Sequence, residues 1–191
     1  LSRLVGSEMC IRDRWIAMGE ADAFAIGEDE IKFLNSEADG FEESTEIIED
    51  ITDAVIAGLA DYCRKSGIKR IVLGLSGGID SAVAACVACA AVGPTNVLGI
   101  AMPSRFSSQH SLDDAKYTAE ALGMEFKIEP IDGMHTALEG TIGEVLDDGN
   151  PVASENIQSR LRGIIVMAHA NAQNRMAIAT GNKSELAQGY C

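Results

Sequence analysis

From Ser44 onward, the apolar residues fall into two alternating patterns, one with helical period and one that reads as short strands. Ile48, Ile51, Val55, Leu59 and Tyr62 recur at spacings of three and four, which places them on one face of a helix. Acids crowd its first turns, Arg64 and Lys65 stand in its last, and Gly67 offers a left-handed cap. Arg70–Leu75 (RIVLGL) is a β-rich run, followed by Gly-rich SGGIDS and a small-residue helix to about Val92. Asn96–Met102 (NVLGIAM) predicts a second strand, stopped by Pro103. Ser111, with Asp114 three residues on, forms a capping box that predicts a helix to about Leu122. Met124–Ile131 alternates as a third strand, and a helix follows through Val145. Asp147–Ala153 (DDGNPVA) reads as a loop, after which Ser154 caps a helix with Ile157, Leu161, Ile164 and Ala168 on one face. Arg175–Thr180 (RMAIAT) predicts the fourth strand, and Gly181–Cys191 begins another helix.

Strand and helix in alternation predict an α/β fold, a parallel sheet with helices on both faces. Ligands in such sheets bind beyond the carboxyl ends of the strands. The chain before Ser44 is less patterned. Trp15–Asn35 mixes short apolar runs with acids and reads as a strand pair or the tail of a preceding domain; Ser36–Glu43 is acidic and turn-like, a linker. Leu1–Arg14 (LSRLVGSEMCIRDR) has neither period nor cap and resembles translated adapter read-through, so 1–14 is expected to be a non-native leader. The organisation expected is thus 1–14, 15–43 and a domain over 44–191.

Composition narrows the function. A formal net charge of −14 repels phosphate backbones and anionic lipid, which argues against a nucleic-acid or membrane-surface protein. No run approaches the ~20 apolar residues of a membrane span, no secretory signal is visible, and the five cysteines, an odd number lying mostly in apolar patterns, suit a reducing compartment. A cytoplasmic protein is expected.

The richest motif is Gly74-Leu75-Ser76-Gly77-Gly78-Ile79-Asp80-Ser81, between a strand and a helix. Adjacent glycines let the backbone turn sharply and aim several N–H groups at phosphate oxygens, with the helix N-terminus behind them. Ser76 and Ser81 add hydroxyls. Asp80 suits such a site when Mg²⁺ bridges it to a pyrophosphate. Neither GxxxxGK[ST] nor GxGxxG is present, which counts against kinase-like γ-transfer and against a Rossmann dehydrogenase. A Gly-Gly turn with Asp and Ser capping the next helix is the purely structural alternative. The SGGxDS pattern in its strand–loop–helix setting resembles the PP-loop of the ATP pyrophosphatases, which split ATP to AMP and pyrophosphate.

Three further segments narrow the resemblance. They are Met102-Pro103-Ser104-Arg105-Phe106-Ser107-Ser108 after the second strand, Glu155-Asn156-Ile157-Gln158-Ser159-Arg160-Leu161-Arg162-Gly163 on a helix, and Thr180-Gly181-Asn182-Lys183-Ser184-Glu185 after the fourth strand. With the PP-loop, in this order and at these separations, they resemble the synthetase domain of the glutamine-dependent NAD synthetases from about Ile51 to Cys191. That resemblance implies a Rossmann-like, three-layer fold of the adenine nucleotide alpha hydrolase kind. It also implies an ATP-dependent amidation of deamido-NAD by ammonia through an acyl-adenylate, with ATP and Mg²⁺ required and a homodimer or larger assembly. By position it gives Gly74 to Ser81, Met102, Arg105 and Thr180 to ATP, Asn156, Arg160 and Glu185 to deamido-NAD, and Asp80 and Glu185 to Mg²⁺ and catalysis. Lys183 is a weaker candidate for phosphate.

Each assignment has a plainer rival. Arg105 fits an ordinary strand–helix connection, Asn156 and Arg160 a solvated helix face, and Thr180 with Glu185 an N-cap region whose acid faces the helix dipole. The resemblance further implies a domain that continues past Cys191, so the chain is expected to be truncated in mid-helix, and an upstream glutaminase, with ammonia-dependence as the other form. GMP synthetase, or a nucleotide-binding module without turnover, are the rival functions. Cys86-Val87-Ala88-Cys89 lies inside an Ala-rich helix without a second pair, so packing explains it better than zinc or redox work. His110, His135 and His169 are scattered, and Met124, Met134 and Met167 fit a core.

Overall fold

The computed structural model describes the chain over residues 41–146 and 151–187. Two compact units divide it, 1–54 and 55–191. Of the first unit only the opening of helix α1 (Phe41–Ser66) is described. The second unit contains the rest of α1 and then β1 (Ile71–Gly74), α2 (Ile79–Val92), a 3₁₀ turn (Pro94–Asn96), β2 (Val97–Ala101), α3 (Gln109–Leu122) and β3 (Glu125–Ile128). It continues with α4 (Asp132–Leu146), α5 (Pro151–Gln173), β4 (Met176–Ile178) and α6 (Lys183–Ala187). The expected strand pair in 15–35, the leader 1–14, the linker up to residue 40, residues 147–150 of the expected loop and the end after Ala187 lie outside the described residues.

The four strands form one sheet in the order β3-β2-β1-β4, and every pairing is parallel. Alternation along the central strands sends side chains to opposite faces. Ile71, Leu73, Val97 and Ala101 face a core shared with Cys63 of α1, Ala85, Ala88 and Cys89 of α2, and Ala115 and Ala119 of α3. Val72, Leu98 and Ile100 face the other core, closed by Ile131, by Met134 of α4 and by Leu161, Ile165 and Ala170 of α5. The expected α/β architecture with helices on both faces is therefore present. The chain winds outward from β1 through β2 to β3, then returns to the far side of β1 as β4. The reversal opens a crevice between β1 and β4 at their carboxyl ends, where a doubly wound sheet binds its ligands.

Several expected boundaries move. Helix α1 starts at Phe41 rather than Ser44, so Phe41–Glu43 are helical, not linker. Its core-facing line runs through Leu59 and the buried Cys63, while Ile51, Val55 and Tyr62 are exposed. Helix α3 is capped by Ser108, whose hydroxyl accepts from the Ser111 N–H at 3.2 Å; Ser111 sits inside the first turn. Helix α5 begins at Pro151, three residues before Ser154, with proline in its favoured first-turn position. Its buried line is Leu161, Ile165 and Ala170, and Ile164 is exposed. Met167 is exposed as well, unlike Met124, which packs in the core. Strand β4 is shorter than expected, and Thr180 stands two residues beyond it.

Helix ends were easier to foresee. Gly67 adopts φ +68°, and the paired bonds from Gly67 N–H to Arg64 C=O and Ile68 N–H to Cys63 C=O close α1 in a Schellman motif. Gly123 ends α3 in the same way. Asn174 ends α5 from the left-handed region at φ 52°, with Arg175 N–H donating to Ala170 C=O.

Candidate active site

Strand β1 delivers the loop at the reversal point. Leu75 is buried, and its N–H donates to Ile100 C=O at 2.9 Å, so it carries the sheet one residue further and offers the site no free amide. The chain then turns on Gly77 at φ +88°. A Cβ there would stand 2.2 Å from the Ser111 carbonyl oxygen, so the loop lies flush against the first turn of α3 and tolerates no side chain. Gly78 takes the N-cap position of α2 without any side chain capping the helix. The first-turn amides of α2 consequently point outward with the positive end of the helix dipole behind them, which makes an anion seat.

The two serines hold this loop's shape. Buried Ser81 donates from Oγ to Gly78 C=O at 2.9 Å and accepts from the Ser76 N–H at 3.2 Å. Ser76 Oγ lies 3.1 Å from Ser81 Oγ and accepts from the Gly78 N–H at 3.1 Å. Ser81 is thus a brace within the loop, and Ser76, on the exposed side, is the hydroxyl nearer solvent. Asp80, in the first turn of α2, is half-buried and makes no hydrogen bond or ion pair to another described residue. Capping, the structural alternative for this acid, is not what its carboxylate does here. Ile79 beside it is an exposed apolar side chain.

The loop after β2 lies alongside. Met102 Cε would meet a Cβ on Gly74 at 3.0 Å, so its side chain crosses the carboxyl end of β1. Arg105 turns the other way. Its N–H donates to Asp132 Oδ1 at 2.9 Å, and its guanidinium reaches Thr136 Oγ1 at 3.2 Å and Glu139 Oε2 at 3.3 Å on α4. That clamp fastens the β2 loop to α4 and commits the guanidinium to two carboxylates. His135, buried on the same helix, places Nδ1 3.2 Å from Glu139 Oε1 and leaves Nε2 without a partner among the described residues.

After β4, Asn182 and Glu185 form a reciprocal capping box. Asn182 Oδ1 accepts from the Glu185 N–H at 2.9 Å, and Glu185 Oε2 accepts from the Asn182 N–H at 3.0 Å. One oxygen of Glu185 is therefore spent on the start of α6. On α5, Arg160 is exposed and donates to the Asn156 carbonyl one turn earlier, at 3.0 Å. Arg162, two residues on, reaches back to the sheet and donates from Nε to Met102 C=O at 3.1 Å. Sequence reasoning did not single out Arg162 because its partner lies 60 residues away. The segments after β1, β2 and β4 thus lie at one end of the sheet, whereas the Arg105 side chain is directed toward α4. Among the described residues no three His, Cys, Asp or Glu side chains gather as a metal cage, and no helix is long and apolar enough to cross a membrane.

The C-x-x-C pair divides. Cys89 is buried, with Sγ 3.9 Å from Met124 Sδ, whereas Cys86 is exposed, so packing accounts for only one of the two. Burial pushes the thiol of Cys63 above its ordinary range; burial, with Cys86 nearby, does the same to Cys89.

Comparison with known proteins agrees with this geometry. The family model for NAD synthase matches residues 51–191. The chain is 52% identical over 139 residues to the glutamine-dependent NAD(+) synthetase of Rhodobacter capsulatus, covering 72% of this chain and 25% of that protein. The structure of a glutamine-dependent NAD+ synthetase from Acinetobacter baumannii, determined in complex with adenosine diphosphate, superposes with a TM-score of 0.72 at 35% identity, over 74% of this chain and 27% of that one. An NH3-dependent NAD synthetase from Campylobacter jejuni gives a TM-score of 0.68 at 31% identity, over 75% of this chain and 60% of that one. The chain spans about a quarter of the length of the curated relatives it matches. On the matched span, the fold and the residues at the reversal point, the chain belongs to the NAD synthase family.

Proposed function

We propose that this chain carries the adenylating site of an NAD synthetase, which converts deamido-NAD to NAD with ATP and ammonia. The observation that carries the reading is the uncapped first turn of α2 at the β1/β4 crevice, with the carboxylate of Asp80, which has no partner among the described residues, within it. The first-turn amides of α2 suit the pyrophosphate portion of ATP, with the exposed Ser76 hydroxyl as a further donor. The family relationship and a relative's structure with adenosine diphosphate support the nucleotide assignment.

Mg²⁺ is bound through one or two carboxylates plus phosphate oxygens and waters, and it neutralises charge on the leaving pyrophosphate. A half-buried acid free of partners among the described residues, beside an anion seat, fits that donor set, and Asp80 is the residue that would hold the ion. Glu185, one of whose oxygens accepts from the Asn182 amide, would be the second carboxylate to hold it. The nicotinate carboxylate oxygen then attacks the α-phosphorus, and the bond to pyrophosphate breaks. Ammonia adds to the acyl carbon of the resulting adenylate, a proton is lost from nitrogen, and AMP departs with the C–O electron pair. The chain's part is positioning and electrostatic stabilisation rather than covalent attack.

In the rest of the assignment, Gly74 to Ser81, Met102 and Thr180 contact ATP, and Asn156, Arg160 and Glu185 contact deamido-NAD. Arg105 joins the ATP set by leaving its clamp on α4. A homodimer and a glutamine-derived supply of ammonia are parts of the same proposal. The test is pyrophosphate release from ATP by the full-length enzyme, with deamido-NAD or xanthosine monophosphate as acceptor and ammonium as nitrogen source. Release that depends on deamido-NAD is expected. Release with xanthosine monophosphate alone would make the enzyme a GMP synthetase, and nucleotide binding without release would make the domain a non-catalytic module.

A further inference from the structure

Along β3, from the amino end of the sheet to just past its carboxyl end, a chain of hydrogen bonds links groups that the proposed reaction does not use. Arg175 lies just before β4 and is buried, its side chain only 7% exposed. It donates to Glu125 Oε2 at 2.7 Å, at the start of β3, and to Gln173 Oε1 at 2.7 Å on α5. Its other nitrogen reaches Ile71 C=O at 3.4 Å and Asn96 C=O at 3.5 Å, at the entries to β1 and β2. Gln173 Nε2 lies 3.0 Å from His169 Nδ1, and His169 Nε2 lies 2.7 Å from Glu129 Oε1, just past the end of β3.

Donor and acceptor chemistry fixes every proton along this path. Arginine has no acceptor, so the Gln173 atom it touches is the oxygen, and the amide NH₂ faces His169. An NH₂ can only donate there, so Nδ1 carries a lone pair. A carboxylate can only accept, so Nε2 carries the proton and donates to Glu129. We infer that Glu129, His169, Gln173, Arg175 and Glu125 form one polar relay that positions α5 on the sheet, and that it is complete only with His169 neutral and protonated at Nε2. A second proton, on Nδ1, would set an N–H against the Gln173 NH₂. Gln173 can resolve that clash only by turning its oxygen toward the ring, which surrenders its bond to Arg175. The residues acting through this relay are positioning residues: α5 also carries Asn156, Arg160 and the Arg162 bond to Met102, so its seating reaches the carboxyl end of the sheet.

The experiment needs no nucleotide, so its outcome is independent of the proposed reaction. Nitrogen-15 NMR of the 191-residue chain at pH 8 reads the His169 ring directly, and hydrogen exchange reads the protection of α5 from pH 8 to pH 5.5. At pH 8 the ring is expected to show a bare Nδ1 and a protonated Nε2. As the ring gains its second proton, protection of α5, corrected for intrinsic exchange, should fall by about fivefold, the scale of one hydrogen bond. His169→Gln keeps a donor for Glu129 and has nothing to titrate, so its protection should stay flat with pH. Gln173→Glu replaces the opposing donor with an acceptor and should show a doubly protonated ring under conditions where the native ring carries one proton. A native ring protonated at Nδ1 at pH 8, or α5 protection that ignores the titration of His169, would overturn the inference.

Discussion

The two ends of this sheet handle polar groups in opposite ways. At the amino end, Arg175 fastens the entries of β1, β2 and β3 to α5, and its donors meet carbonyls, a glutamine and a carboxylate. At the carboxyl end, the first turn of α2 has no side-chain cap, and Asp80 has no partner among the described residues. A cleft of about 350 Å³ does lie at the amino end, lined by Gly67, Lys69, Arg70, Gln173 and Asn174. Volume is the poorer guide here, because a parallel sheet presents its functional loops at the carboxyl end. In the proposed function, the satisfied groups around Arg175 belong to the frame and the first turn of α2 with Asp80 belongs to the site.

The sharpest way to break that contrast is Asp80→Asn in the full-length enzyme. Asparagine preserves size and hydrogen bonding and removes the charge. Adenylation, followed as pyrophosphate release, should fall by about 10²-fold or more, the scale of one major electrostatic contributor. Added Mg²⁺ should restore part of the loss, since a weakened metal site responds to mass action. Folding stability should hardly change, as Asp80 supports no described contact. Near-native release from the Asn variant would return the loop to a purely structural role.

Gly77→Ala probes the same end through its backbone. The residue stands at φ +88°, and the new Cβ would collide with the Ser111 carbonyl at 2.2 Å. Forcing the loop away from α3 should cost about 3 kcal/mol of stability by urea unfolding, combining left-handed strain with steric clash. Nucleotide affinity should fall with it. A variant that unfolds earlier yet binds ATP normally would show that the loop's closeness to α3 serves packing alone.

Arg175→Met tests the amino end. Losing its charged hydrogen bonds should cost about 2 kcal/mol of stability, with a much smaller effect on ATP affinity, carried through the seating of α5. A large loss of affinity at preserved stability would erase the functional distinction between the two ends.

Much of the carboxyl end was legible because its signals are local. A strand, two glycines and a helix within a dozen residues specify the PP-loop, and the three following segments keep their order. An N-cap region at Thr180 and Glu185 was likewise visible as the structural alternative, though not the part Asn182 takes in it. Where signals were ambiguous, the reading slipped. Serines at 107, 108 and 111 offer competing caps, and the run Ile164-Ile165-Val166-Met167 is apolar on every side, so its period cannot say which face is buried. The pairings that run from the amino end along β3 were nearly illegible. Arg175 meets Glu125 across 50 residues and Ile71 across 104, and His169 meets Glu129 across 40. Pairings that the fold alone creates leave no spacing in the sequence.

The smallest expected effect concerns the cysteines on the core side of α1 and α2. Burial raises the thiols of Cys63 and Cys89 above the ordinary value of 9.0, with Cys86 adding to the effect at Cys89. A thiol whose folded value is raised holds its proton more tightly in the folded chain than in the unfolded one. Its contribution to stability is therefore fully present below about pH 9 and is lost as pH rises through the folded value. The urea midpoint of the chain should consequently drift downward above pH 9, and the drift should be shallower in Cys63→Ala and Cys89→Ala, whatever those substitutions cost in packing. Alkylation at pH 8 gives an independent reading: the thiolate is the reacting form, so exposed Cys86 should be modified before Cys63 and Cys89, which stay protected until the chain unfolds. Equal labelling of Cys86 and Cys89 in the folded protein would mean that α2 opens far more readily than a helix seated on the central strand should.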